Sequence, residues 1–158
     1  MFRTLARVGP LGPARLGRIA RSIAARQGEW IDLVRYDASR RWYQQLACDD
    51  EHEVWLLSWL PGQQTGFHDH GSSAGAFAVA VGALHERTAP ARRPEAAGTT
   101  LAQGALRSFG PRYVHDIMNA SPEPAVSVHA YSPPLRGMRR YELTTSGLLR
   151  PQAPERWW

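Results

Sequence analysis

The sequence predicts an all-β domain, a sandwich or small barrel, with one or two short helices at its N-terminal end. Three observations carry that prediction. From Trp42 to about residue 145 the apolar residues fall in short runs, several of them alternating with polar ones. Turn residues divide those runs closely, at Asp49-Asp50, Gly110-Pro111, Ser121-Pro122-Glu123-Pro124 and Pro133-Pro134. Helical spacing is confined to the first 35 or so residues. Many short strands between close turns are the pattern of a sandwich or small barrel.

The elements follow in order. The first 28 residues hold six arginines and no acidic residue, the composition of a transit peptide. Leu16, Ile19, Ala20, Ile23 and Ala24 nevertheless share one helix face. Gly12-Pro13 suits a helix start and Gly28 a stop, so a helix docked on the domain is the preferred account. "EWIDLVRYD" suggests a second short helix. "RWYQQLAC", the turn-like "DDEHE" and "VWLLSWLP" read as a hairpin. A glycine-rich histidine loop leads into "AFAVAVGALHERT", a strand-like run from Ala76, and "APARRPEAAG" reads as a polar loop. "ALRSFG", "VHDIMNA", "AVSVHAYS" and "RRYELTT" are four further strand candidates. The chain is read as one domain, with a helical segment over 1–35, a barrel over about 42–145 and a tail over 146–158.

Composition narrows the chemistry. The chain has 158 residues, 43% hydrophobic, with a net charge of +5. Every basic residue is arginine, so Schiff-base catalysis by lysine is excluded. The arginines are scattered and no nucleic-acid motif accompanies them, so no nucleic-acid partner is expected. No apolar run approaches a bilayer-spanning length, so no membrane partner is expected either. The single cysteine, Cys48, rules out an internal disulfide and a cysteine-based zinc site, and is expected to be a partly buried, inert thiol. A reducing, cytoplasmic location fits this usage.

"PGQQTGFHDHGSSAGAF" is the most informative stretch. In a strand, residues i and i+2 share a face, so His68 and His70 would aim at one point with Asp69 turned away. Gly62 precedes His68 by six residues and Gly82 follows His70 by twelve. Gly104 then opens a second stretch holding His115 and Asn119.

In these residues the chain resembles the cupin superfamily, a double-stranded β-helix or jelly-roll barrel. Gly62, His68, His70 and Gly82 match its first motif, G-x5-H-x-H-x3,4-E-x6-G. Gly104, His115 and Asn119 match its second, G-x5-P-x-G-x2-H-x3-N. Gly110 and Arg112 stand where the second motif has proline and glycine. Gly75 stands where the first motif has glutamate. The resemblance therefore implies a metal site of His68, His70 and His115 with no carboxylate. Three neutral imidazoles leave the charge of a divalent ion uncompensated, which suits an anionic thiolate ligand on iron. Zinc with one bound water is the competing occupant.

Ser127, His129 and Tyr131 alternate with Val128 and Ala130, so the three polar side chains share one face of a strand. Alternation alone does not say whether that face is the interior or the solvent side. The run "SVHAYSPP" downstream of the three histidines is similar to the cysteine dioxygenase family of cupins, over about Trp42 to Glu142. That resemblance implies Fe(II) on His68, His70 and His115, with Ser127, His129 and Tyr131 as an outer-sphere relay and a cis bond at Ser132-Pro133. Animal members crosslink a cysteine to the relay tyrosine, and the matching position here is again Gly75. Cysteine-oxidising members grip the substrate carboxylate with an arginine after a tyrosine. Here Gln45 follows Tyr43, a pattern associated with 3-mercaptopropionate, although the Ser-Pro-Pro run is more like the cysteine type. Arg139 and Arg140 are the other candidate cations, and alternation lets only one of them face inward. His85 and His52 are expected to be structural or solvated.

The expectation is thus an Fe(II)-dependent thiol dioxygenase, taking a small thiol and O2 as partners, working as a monomer or small homo-oligomer. A zinc cupin acting as isomerase or hydrolase, and a non-catalytic small-molecule-binding cupin, are the alternatives.

Overall fold

The computed structural model describes residues 9–89, 98–146 and 149–152. The polar loop expected over 89–98 lies almost wholly outside them, as do the two ends of the chain.

Helix α1 spans Pro13–Ala25. Gly12 caps it in an extended conformation, and Pro13 begins it where a missing N–H costs nothing. It stops at Ala25, three residues before Gly28, when the Arg26 N–H turns back to the Ile23 carbonyl. The expected second helix is two single 3₁₀ turns, Gln27–Glu29 and Ile31–Leu33. Between them the Trp30 indole donates to the Ile23 carbonyl at 2.9 Å, which ties the connection to the helix.

Eleven strands follow among the described residues: β1 Trp42–Cys48, β2 Glu53–Trp59, β3 Phe67–Asp69, β4 Ala74–Val81, β5 Ala83–Ala89, β6 Gly98–Ala102, β7 Leu106–Phe109, β8 Val114–Met118, β9 Ala125–Ser132, β10 Arg139–Leu143 and β11 Leu149–Pro151. They form two antiparallel sheets, ordered β1-β2-β9-β4-β7 and β11-β10-β3-β8-β5-β6. The long run from Ala76 breaks into β4 and β5. Gly82 causes the break, with a φ of +73° and no room for a Cβ, which would lie 2.7 Å from the Pro124 carbonyl oxygen. Part of the expected tail pairs as β11. Cys48 ends β1 exposed, not partly buried, because its strand lies at the sheet edge.

Strand alternation divides the protein into two apolar clusters. Val54, Leu56, Ala74, Ala76, Ala78, Val126, Val128 and Ala130 point to the outer face of the first sheet, where α1 covers them with Leu16 and Ala20. The small alanines of β4 let the helix approach closely. The odd-numbered residues of the same strands point between the sheets, where Leu57, Trp59, Phe77, Val79 and Tyr131 meet Leu84 and Ile117 of the second sheet. Because Val126, Val128 and Ala130 serve the helix face, Ser127, His129 and Tyr131 must face the interior.

Arg112 has a φ of +63°, the left-handed conformation that a glycine takes most easily. The turn is kept, and the Arg112 N–H reaches the Gly71 carbonyl at 3.3 Å.

The docking of α1 has a measurable consequence. Leu16 is fully buried, so Leu16→Ala should destabilise the whole domain by about 2–5 kcal/mol in urea unfolding. A change under about 0.5 kcal/mol would mean that the helix is not part of the cooperative unit.

Candidate metal centre

The second sheet aligns the central row of side chains. His68 of β3 lies directly opposite His115 of β8, with Arg140 of β10 on its other side and Thr88 of β5 beyond His115. These residues share one face. His70 follows β3, two residues past His68, and joins them. One ring nitrogen from each of His68, His70 and His115 falls within 4.8 Å of the others, and all three residues are buried. Asp69 faces the opposite way, where it accepts from the Tyr141 hydroxyl at 2.6 Å.

Each imidazole is oriented by a different means. His68 Nδ1 meets the Gly66 carbonyl at 2.9 Å. His115 Nδ1 meets the Glu86 carboxylate at 2.8 Å. His70 has no hydrogen bond at either nitrogen and is held by stacking, between Phe109 at 5.1 Å and Tyr131 at 4.9 Å. The Nε2 atoms of His70 and His115 are buried without a partner. A buried nitrogen without a partner costs about 1–3 kcal/mol, and a metal ion placed among the three would satisfy one nitrogen of His70 and the Nε2 of His115. The donor set, three neutral nitrogens with outer-sphere partners on two of them, fits a divalent transition metal.

Gly75 explains the missing carboxylate sterically. It lies opposite Phe109 on one side and Tyr131 on the other. A Cβ on it would lie 2.5 Å from the Phe109 ring and 2.9 Å from that of Tyr131. Phe109 fills the space that a longer residue at position 75 would need.

The relay residues form a chain with a direction. The Trp59 indole N–H, which can only donate, donates a hydrogen bond to Ser127 Oγ at 2.8 Å. The Ser127 hydroxyl is then left to donate to His129 Nε2 at 2.8 Å. His129 therefore carries its proton on Nδ1, 3.2 Å from the Tyr131 oxygen, and donates it there. The phenol's own proton stays free for another acceptor. Burial, and secondarily the Glu53 carboxylate, pushes the Tyr131 phenol up, so it remains protonated at neutral pH. Burial, then repulsion from His115 and Arg41, pushes His129 down to about 3.

Two cations flank His68. Arg140 faces inward and donates to the Thr65 carbonyl at 3.1 Å. Arg41, just before β1, lies with its guanidinium 4.9 Å from the centre of the Trp59 ring. Both line a small pocket with Thr65, His68 and Met138. Burial and repulsion by Arg140 lower Arg41 to about 10, still charged at neutral pH. No ion pair among the described residues involves Arg41.

The structure does not bring all the candidate substrate residues to this pocket. Gln45 is exposed, and its amide reaches Glu53 at 3.4 Å. Tyr43 does not line the pocket itself but faces the same interior, edge-on to Trp55, in the cluster of Tyr131 and near enough to Arg41 to act on its charge. Arg139 is exposed and stands opposite Asp69, on the face away from His68. His85 faces Thr100 and His52 faces Asp49, both away from the cluster. Sequence reasoning missed Arg41, Trp59, Glu86 and Phe109. Alternation along β5 was the available signal for Glu86, since an outward His85 turns it inward.

The buried histidines make the metal-free protein acid-sensitive. His129 binds its proton near pH 6.5 when unfolded but only near 3 when folded. Between these values the unfolded chain holds more protons, so stability falls as pH drops. His68 and His70 act in the same direction, because burial also lowers them well below the usual value. Urea midpoints of the metal-free protein should decline from pH 7 to pH 4, His129 alone contributing a slope approaching about 1.4 kcal/mol per pH unit. His129→Gln should flatten that slope, and an equally steep variant would contradict the assignment.

Known proteins share this architecture. A Thermus thermophilus protein aligns with a TM-score of 0.58 and 21% identity, over 66% of this chain and 93% of its own. A Klebsiella pneumoniae protein described as having a double-stranded β-helix domain aligns at 0.59 and 22%, over 68% and 90%. An RmlC-like cupin from Desulfovibrio desulfuricans aligns at 0.56 and 16%, over 65% and 91%. These likenesses establish the cupin fold. In sequence, the chain is 27% identical over 129 residues to cysteine dioxygenase type 1 of Danio rerio, which covers 74% of this chain and 63% of that protein's length. The family model for cysteine dioxygenase type I matches residues 14–144. That match runs from α1 through β10 and takes in all three histidines, the Ser-His-Tyr chain and both pocket arginines, and on it the chain belongs to the type I cysteine dioxygenase family.

Proposed function

We propose that the protein is a thiol dioxygenase that converts a small carboxylate-bearing thiol into its sulfinate. The observation that carries the reading is the convergence of His68, His70 and His115 beside Tyr131, whose ring stacks on His70, with no carboxylate among the three. Ferrous iron held by these three would supply the chemistry that lets a thiolate react with dioxygen. Both oxygen atoms end on sulfur, the S–H proton is released, sulfur loses four electrons and dioxygen gains them.

The chain's own residues do the rest. As ligands the three imidazoles bring no negative charge, so the positive charge of a bound ion stays available to an anionic sulfur. Tyr131, its phenol pushed up by burial, keeps its proton at neutral pH and offers it to negative charge developing on oxygen or on the substrate. Ser127 and His129 hold the phenol in one orientation, and Trp59 fixes the start of that chain. Arg41 and Arg140 hold the substrate carboxylate beside His68, Arg140 being one of the two cations that the sequence offered for it. Phe109 and Phe77 close the interior around the histidines and exclude water, which strengthens each of these polar contacts.

The iron-loaded protein should consume one O2 per thiol and yield sulfinate with cysteine or 3-mercaptopropionate, and His115→Ala should abolish both. No oxygen uptake by the iron-loaded wild type with either thiol overturns the proposal. Metal analysis finding zinc alone, with zinc supporting turnover of another substrate, would do so as well.

The pocket arginines make a separate prediction. A charge-assisted bond to a carboxylate contributes about 1.5–3 kcal/mol. Arg41→Met should therefore raise KM for 3-mercaptopropionate about 10- to 100-fold. Its effect on 2-mercaptoethylamine, which has no carboxylate, should be several-fold smaller. Equal effects on the two thiols would remove Arg41 from carboxylate recognition.

A further inference from the structure

We propose that Glu86 is a positioning residue of the metal centre, supplying through His115 the negative charge that position 75 cannot. The inference rests on the reading of the three histidines as metal ligands, but not on the identity of the thiol.

The geometry makes the case. Glu86 and His115 lie on adjacent strands, diagonal to each other, because Glu86 pairs with Ile117 and His115 with Thr88. Glu86 is almost wholly buried. Its Oε1 accepts from His115 Nδ1 at 2.8 Å and from the Tyr113 hydroxyl at 3.2 Å, and its Oε2 accepts from Arg107 Nε at 2.5 Å. Arginine is always charged and the carboxylate is anionic beside it, so Glu86 can only accept. His115 must then carry its proton on Nδ1 and present the lone pair of Nε2, which is the buried atom left without a partner.

The three ligands differ in this respect. His68 has a neutral carbonyl behind it and His70 has only stacked rings. His115 alone among them has an anion. A carboxylate behind a ligating imidazole fixes its tautomer, raises its basicity and typically sustains 10- to 100-fold of metal affinity. With a carboxylate sterically barred from position 75, Glu86 couples to the metal position through its bond to His115.

A simpler account is that Glu86 only neutralises Arg107 and keeps β5 packed. Cobalt(II) binding to the full-length metal-free protein, by chelator competition, separates the two. Glu86→Gln keeps the shape and can still accept from Nδ1, but it removes the charge. It should weaken Co(II) binding about 10- to 100-fold. The Fe(III)/Fe(II) potential of the iron-loaded variant should rise, since loss of the anion favours the lower charge. Arg107→Met, which breaks the ion pair and keeps Glu86, should leave Co(II) affinity within about threefold. Glu86→Gln binding Co(II) within twofold of wild type would overturn the proposal. So would an unchanged potential, or an equal affinity loss in Arg107→Met. None of these measurements uses a thiol, so failure of the thiol dioxygenase reading leaves a separate result, high Co(II) affinity without oxygen uptake.

Discussion

The contact between Phe109 and Gly75 sets the geometry of the interior. Position 75 has room for a hydrogen and nothing larger, because the edge of the Phe109 ring lies 2.5 Å from where a Cβ would be. The same ring stacks on His70, stacks on Tyr113 at 4.8 Å and presents its edge to His115 at 5.1 Å. One aromatic side chain thus orients a histidine that has no hydrogen bond of its own. It also holds the tyrosine that bonds to Glu86. Placing a carboxylate at position 75 would displace that ring and, with it, the support of two of the three imidazoles.

Charge is distributed unevenly about the histidines. On the β5 side stands Glu86, anchored by Arg107 and Tyr113. On the β1 and β10 side stand Arg41 and Arg140, which repel each other. The row Arg140–His68–His115 therefore runs from a cationic pocket to a buried anion. Repulsion between the two guanidiniums is relieved by an anion between them, so the pocket favours a negatively charged ligand at the end remote from Glu86.

Much of this was legible in the sequence, and the parts that were not share a cause. The histidines could be read because strand alternation alone aims His68 and His70 together, and fixed glycine spacing locates His115. The inward face of β9 was ambiguous because Val126, Val128 and Ala130 form as good an apolar face as any core. Only the helix packed outside resolves it. Gly82 was readable as a turn position from the motif, but the apolar residues that continue across it read as one run, and the cause of the break, the approach of the Pro124 carbonyl, comes from a distant turn. Arg41 was illegible for a similar reason. It precedes the strand pattern, and its value comes from its place beside Trp59 and Arg140, residues separated from it in sequence. Gln45 was readable by analogy of spacing, and its register against β2 sets its amide against Glu53, the cross-strand partner of Tyr131.

The chain from Trp59 to Tyr131 begins at an indole. An indole N–H neither gains nor loses a proton in water's pH range. The chain is therefore a dead end for proton conduction: it can point the phenol's proton but cannot refill it from solvent through Ser127. Any proton that Tyr131 gave up would have to return by a route outside the chain of Trp59, Ser127 and His129. The chain sets the direction of the phenol's proton and leaves its supply to the rest of the interior.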